Sequence, residues 1–396
     1  MKKILMTTAA ASVMATSAFA AGHEINIGVI LGFTGPIESL TPDMAASAEM
    51  AFAEASASGL LLGGKVIVPI RGDSTCVDAA AATAAAERLV TSDNVAAIYG
   101  PDCSGVTAAV TNNVAVPNGI TVISPSATSP ALSTIEDNDL FFRTSPSDAR
   151  QGQVIAEMLG ERGISEIAVT YTNSDYGKGL ADAFEAAFTA AGGTVTISAS
   201  HEDGKGDYSA EVGALAASGA EYLAVFGYLD QGGLGIIRNA LDSGAFETFV
   251  LGDGMYGESI LENLGSDLDG SFGAVPASDS DGAATLKAMV EGTVGDPSGP
   301  YVGESYDAGA LIAFAIQAGG SADRASIAAN ILNVANAPGE PIQPGEIAKG
   351  LQILADGGEI DYVGATNVEL IGPGEAAGSY LEYKVEGGKF ATIQYR

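Results

Sequence analysis

The chain of 396 residues has no tryptophan, only two histidines and two cysteines, and 17 lysines and arginines against 49 aspartates and glutamates. Each scarcity excludes something. His23 stands near the start and His201 in the polar run "HEDGKGDY", neither with a Cys or His neighbour at ligand spacing, so no zinc site is expected. "DSDGAATLKAMVE" and "SDLDG" look like calcium loops but lack the full D-x-D-x-D-G frame and read as solvated turns. No metal is expected. The shortage of basic residues makes nucleic acid and anionic membrane surfaces poor partners. There is no G-x-x-x-x-G-K-[ST], and the glycine-rich "GYLDQGGLG" misses G-x-G-x-x-G, so no nucleotide cofactor is expected either. No run of eighteen apolar residues reads as a bilayer span.

The first twenty residues are of a different kind. A basic "MKK", an apolar "ILMTTAAASVMAT" and the small-x-small ending Ala18-Phe19-Ala20 make a secretory signal peptide, with cleavage expected after Ala20 and an exported mature chain. Losing it removes Lys2 and Lys3 and leaves 15 basic residues against 49 acidic ones, a net charge of −34. Such charge favours solubility and is best tolerated in a salty medium. The remaining length suits two domains. Two cysteines in an exported protein suggest one disulfide between Cys76 and Cys103.

The hydrophobic pattern alternates strand and helix. "INIGVIL", "KVIVPIR", "NVAAIY" and "GITVISP" read as buried strands separated by "MAASAEMAFAEASA", "DAAAATAAAERLVT" and the helix after Ser104. After "LFFRTSPSD" the rhythm restarts with "EIAVTYT", "TVTISAS", "EYLAVFG" and "TFVLGD". Strands apolar at nearly every position, alternating with helices, predict an α/β protein of two Rossmann-like lobes with parallel sheets. Extended crossings near Phe141–Ser145 and Ser271–Ser278 would join them as a multi-strand hinge, and the end reads as a hairpin around Gly387-Gly388. The expected division gives residues 21–143 and 277–360 to one lobe, and 144–276 and 361–396 to the other with the hinge.

"GPDCSGVTAAV" places Cys103 and Ser104 on a strand-to-helix turn, where hydrolases carry a nucleophile. A G-x-S-x-G centred on Ser104 fails at Asp102 and Val106, one centred on Cys103 fails at Pro101, and neither histidine has a context for a triad. No catalysis is expected. A helix N-terminus instead offers free N–H groups to an anion. Ser104 would add its hydroxyl, and Ser126, Ala127 and Thr128 in "SPSATSPA" form a second cradle; the alternative for each is plain helix capping. On the other lobe Asp253, ending "TFVLGD", could pair with an ammonium, beside Tyr176, Tyr228 and Asp230 at other strand ends. One lobe gripping a carboxylate and one gripping an amine describe an α-amino acid.

These stretches, with "GFTGPI", "DSTCVDAAAATAAAERLV", "FFRTSPSDARQG", "SDYGKGLADAF", "KGDYSAEV" and "LGDGM", give the chain a resemblance to the periplasmic leucine/isoleucine/valine-binding proteins. These are type I substrate-binding proteins of ABC importers. The resemblance covers most of the mature chain. It implies a two-lobed fold that closes on its ligand, no cofactor, and a monomer that docks on an inner-membrane ABC permease. Carried over by motif, it implies the Cys76–Cys103 disulfide, carboxylate binding at Ser104, Ser126, Ala127 and Thr128, ligand contacts from Tyr176 and Tyr228, and Asp253 as the ammonium acid. Leu40 falls where the first loop often has an aromatic, Asp253 is one methylene shorter than the usual Glu, and the loop "YLDQGG" is lengthened and carries Asp230. These departures bear on the shape and polarity of the side-chain pocket, and the alternatives are an amide, urea-like or simple carboxylate ligand on the same fold, or a ligand sensor.

Overall fold

A computed structural model describes residues 23–396; the expected leader and its cleavage after Ala20 lie outside the described residues. Five parallel strands open the chain: β1 (Glu24–Leu31), β2 (Val66–Asp73), β3 (Ala97–Tyr99), β4 (Thr121–Ser124) and β5 (Phe141–Arg143). Five more follow: β6 (Glu166–Thr172), β7 (Thr194–His201), β8 (Leu223–Phe226), β9 (Phe249–Leu251) and β10 (Phe272–Pro276). A small parallel pair, β11 (Glu340–Ile342) and β12 (Ile360–Tyr362), precedes β13 (Leu370–Ile371), β14 (Glu375–Ala376), β15 (Tyr380–Val385) and β16 (Phe390–Tyr395).

Two sheets result. The first runs β13-β14-β5-β4-β3-β1-β2 and the second β16-β15-β10-β9-β8-β6-β7. The order reverses around β1 and around β6, as in doubly wound folds whose ligands lie beyond the carboxyl ends of the strands. The central strands β3, β4, β8 and β9 are buried at every residue, which is why they read as unbroken apolar runs rather than alternating ones. Helices Thr41–Ala57 and Ala79–Thr91 cover the first sheet, while Asp148–Glu161 and Asp175–Ala190 pack together in the second lobe. The helix Val302–Ala318 is buried on almost all its faces and packs along Thr41–Ala57.

The chain crosses between the sheets after β5, after β10 and between β14 and β15. The first two crossings lie where the sequence places them. The third differs: β13 and β14 pair into the first sheet, so the chain returns to the second lobe after Ala376 and not at 360. The reason is local. Both are two-residue strands with no apolar run to announce them, and β14 adds alongside β5 through Glu375 and Arg143. The crossings are tied to one another, with Ala277 N donating to the Ser379 carbonyl (3.0 Å) and Thr144 Oγ1 to the Glu304 carbonyl (2.8 Å). The closing hairpin forms around Gly387 and Gly388, both at positive φ.

His201 departs from its expected setting. It ends β7 and is buried, with Nδ1 2.9 Å from Thr170 Oγ1, and burial pushes its pKa down to about 4.

Candidate functional site

The turn "GPDCSG" is built on Gly100, which follows β3 at φ +93; a Cβ there would lie 2.0 Å from the Ile30 carbonyl oxygen. Only glycine fits that conformation and that approach. The chain is then free to reverse into the helix that starts at Ser104. Two devices hold the turn. Cys103 is disulfide-bonded to Cys76 on the loop after β2. Asp102, almost fully buried, accepts from Gly32 N (2.7 Å), from Ser74 Oγ (3.1 Å) and from Cys103 N (3.0 Å), so one carboxylate binds the loops after β1, β2 and β3 together. Ser104 Oγ accepts from Ser129 N (3.1 Å), which leaves its proton to donate elsewhere. Ser126 Oγ donates to the Asp102 carbonyl (3.0 Å).

Across the cleft, Tyr176 opens the helix after β6 and stacks on Tyr228 at 5.1 Å between ring centres. The Tyr176 hydroxyl donates to Asp253 Oδ1 (2.8 Å) and accepts from Gly254 N (3.0 Å). Gly254 permits this: a Cβ on it would sit 2.9 Å from that hydroxyl and 2.6 Å from the Gly227 carbonyl oxygen. The other Asp253 oxygen accepts from the Tyr301 hydroxyl. Asp253 is 2% exposed, and burial raises its pKa against the opposing pull of Tyr301 and Tyr176. Asp148, in the first turn of the helix Asp148–Glu161, is wholly buried, and neither carboxylate oxygen makes a hydrogen bond of good geometry, although the Thr128 hydroxyl and the Arg143 charge lie close enough to favour its ionised form. Burial first, and the negative charge of Asp253 second, raise its pKa well above the ordinary range. The centre of the molecule therefore holds two acids that cannot comfortably ionise together.

Between these walls lies a cavity of about 20 Å³, room for a single water. It is lined by Ile37, Leu40 and Met44 from the loop and helix after β1, by Asp102, Cys103, Ser104 and Ser126, and by Tyr176, Tyr228, Asp253, Gly254 and Tyr301. Six of the expected site residues are thus brought together: Leu40, Ser104, Ser126, Tyr176, Tyr228 and Asp253. Three are not. Ala127 and Thr128 stand behind the wall: Ala127 N donates to Ser124 Oγ (3.0 Å), and the Thr128 carbonyl accepts from Asp148 N (2.8 Å). Asp230 stitches the lobes instead. Its N–H donates to the Pro36 carbonyl (3.0 Å), and its carboxylate accepts from Ser39 N (2.9 Å) and Ser259 Oγ (2.7 Å).

Sequence reasoning missed Ile37, Met44, Asp148 and above all Tyr301. An unpaired buried acid is visible only in three dimensions. Tyr301 lies at the end of the Gly- and Pro-rich run "VGDPSGPY", and its φ of +62 is uncommon for a bulky residue.

Comparison with known proteins agrees with this architecture. The family of periplasmic binding proteins is matched over residues 24–349. The chain belongs to that family. The Leu/Ile/Val-binding protein BraC3 of Rhizobium johnstonii is 29% identical over 332 residues, covering 83% of this chain and 89% of the relative. The crystal structure of a leucine-binding protein, LivK, from Thermotoga maritima superposes with a TM-score of 0.77 at 22% identity, over 94% of this chain and 98% of that one. A solute-binding protein of an ABC transporter from R. palustris, in complex with 4-hydroxybenzoate, has a TM-score of 0.75 at 19% identity, over 94% and 97% of the two chains.

Proposed function

We propose that this chain is an exported, periplasmic substrate-binding protein that captures an α-amino acid between its lobes and presents the closed form to an ABC permease. The observation that carries this is the facing of unlike walls. A hydroxyl and a helix start at Ser104 suit a carboxylate, and the buried Asp253, with Asp148 behind it, suits an ammonium. Ile37, Leu40 and Met44 offer an apolar surface for an aliphatic side chain. The relatives named for leucine, isoleucine and valine support this ligand class.

No step of chemistry is required. The ligand enters when the lobes part, which breaks the contacts of Asp230 with Pro36 and Ser39; closure re-forms them and takes the ligand's charges out of water. Charges buried in this way bind tightly only when each is matched, and selectivity follows. A second reading, a carboxylate or small amide without an amine, is favoured by one observation: Tyr176 and Tyr301 already satisfy both Asp253 oxygens without an ammonium. Thermal-shift and calorimetric titration with amino acids, their amides and simple carboxylates separates the two. The amino-acid reading expects leucine to bind and isocaproate, which lacks only the amine, to fail. Equal binding of both refutes it.

A further inference from the structure

Behind Tyr301 lies a second, larger cavity of about 360 Å³. Both lobes and the hinge build it: Ala277–Ser280 after β10, Thr392 and Tyr395 of the last strand, and Tyr301 to Glu304 at the start of the buried helix. Tyr301 is common to the walls of this cavity and of the small one beside Asp253, which places the two next to each other.

Glu304 is the unusual group here. It is 4% exposed, and its carboxyl has no ion pair and no hydrogen bond to another residue among the described residues. A carboxylate is expensive to bury unmatched. Lys287 and Asp279 also line the cavity, yet neither pairs with Glu304. Burial raises the Glu304 pKa to about 8, with the nearby Asp307 adding to the shift, so the group keeps its proton until a donor arrives.

Tyr301 has the features of a movable partition. Its backbone is in the left-handed region, a strained state for an aromatic residue, and its hydroxyl is tethered to Asp253. An ammonium bound at Asp253 competes for that tether and frees the ring to turn.

We infer that the cavity behind Tyr301 receives the far end of the ligand's side chain, and that Glu304 pairs there with an ammonium or guanidinium group. This inference rests on the α-amino-acid reading but replaces the apolar surface of Ile37, Leu40 and Met44 with the cavity beyond Tyr301 as the place of the side chain, and so selects amino acids with a long basic side chain.

The test is calorimetric titration of the mature protein with leucine, norleucine and lysine, the last two differing only at the side-chain terminus. Wild-type protein should bind lysine at least tenfold more tightly than norleucine. Glu304→Gln should remove that preference while leaving norleucine within twofold. Norleucine equal to or tighter than lysine overturns the inference without touching the amino-acid reading, and needs no variant to fold. A lysine preference that survives Glu304→Gln also overturns it. If none of the three binds, the amino-acid reading fails and this inference with it.

Discussion

Asp253→Asn is the most informative substitution. The amide keeps the shape of the side chain and one acceptor for the tyrosine hydroxyls, but not the charge. If the ligand's ammonium is held here, the variant leaves a positive group buried without its counter-charge, which costs about 3–5 kcal/mol, or roughly two to three and a half orders of magnitude in affinity. The lower end is expected, because Asp148 stands within electrostatic reach and supplies part of the field. The same change acts with the opposite sign on the unliganded protein. Asp253 and Asp148 each have a raised pKa, so near neutral pH the folded state bears the cost of two buried acids. Removing one should raise the melting temperature at pH 8 and change it little at about pH 3, below the unfolded carboxylate value, where both are mostly protonated folded and unfolded alike. Calorimetry with leucine and scanning at both pH values measure the two effects. Affinity within twofold of wild type refutes the ammonium assignment. Lost binding with a lowered melting temperature means damage to the fold and refutes the electrostatic argument.

Four further outcomes are expected. Ser104→Ala should weaken amino-acid binding by roughly tenfold, the scale of one hydrogen bond to a charged group, and cost about 1–3 kcal/mol of stability because the buried Ser129 N–H loses its acceptor; unaltered affinity removes Ser104 from the carboxylate site. Reducing Cys76–Cys103, which spans 27 residues, should cost about 3–4 kcal/mol on chain-entropy grounds and should also lower affinity by loosening the Ser104 turn; an unchanged denaturation midpoint contradicts this. Asp230→Ala should favour the open form, seen as a larger radius of gyration without ligand and weaker binding with it; identical scattering profiles would show that the Pro36 and Ser39 contacts do not hold closure. Raised pKa values make stability greatest below the unfolded values and lost as pH climbs through the folded ones, about 6 for Asp307 and about 8 for Glu304. Unliganded protein should therefore melt lower at pH 8 than at pH 5, and Glu304→Gln should flatten the upper part of that fall.

Much of the fold is legible because its strands are buried on both faces. β6 spans Glu166–Thr172, the span its sequence predicts, and β8 and β9 lie inside the predicted runs. Where burial is less uniform, legibility fails. β13 and β14 are two residues each and belong to the first sheet only because Glu375 reaches Arg143, a contact 232 residues distant. Periodicity has nothing to say about such a strand. The same division runs through the site. Ser104, Tyr176, Tyr228 and Asp253 follow strands and could be placed by counting strand ends. Ala127 and Thr128 also follow a strand, yet β4 ends so that Ser124 Oγ takes the Ala127 N–H and turns the cradle inward. Strand ends give position; hydrogen bonds decide which face is offered.

Tyr301 and Asp148 show what position alone omits. Both come from crossings between lobes, where no sheet register fixes direction. Asp148 lies in the first turn of the helix that opens at Ser147, a place that ordinarily favours a carboxylate as a partner of free N–H groups. A sequence therefore reads it as a capping acid. In the fold its oxygens make no hydrogen bond of good geometry, and burial together with the field of Asp253 outweighs the pull of the Thr128 hydroxyl and Arg143. Burial raises the pKa of both acids, and the charge of Asp253 raises that of Asp148 further, a cost that an ammonium bound between the lobes would relieve. If an ammonium binds here, its affinity should include the relief of that cost as well as the new contacts.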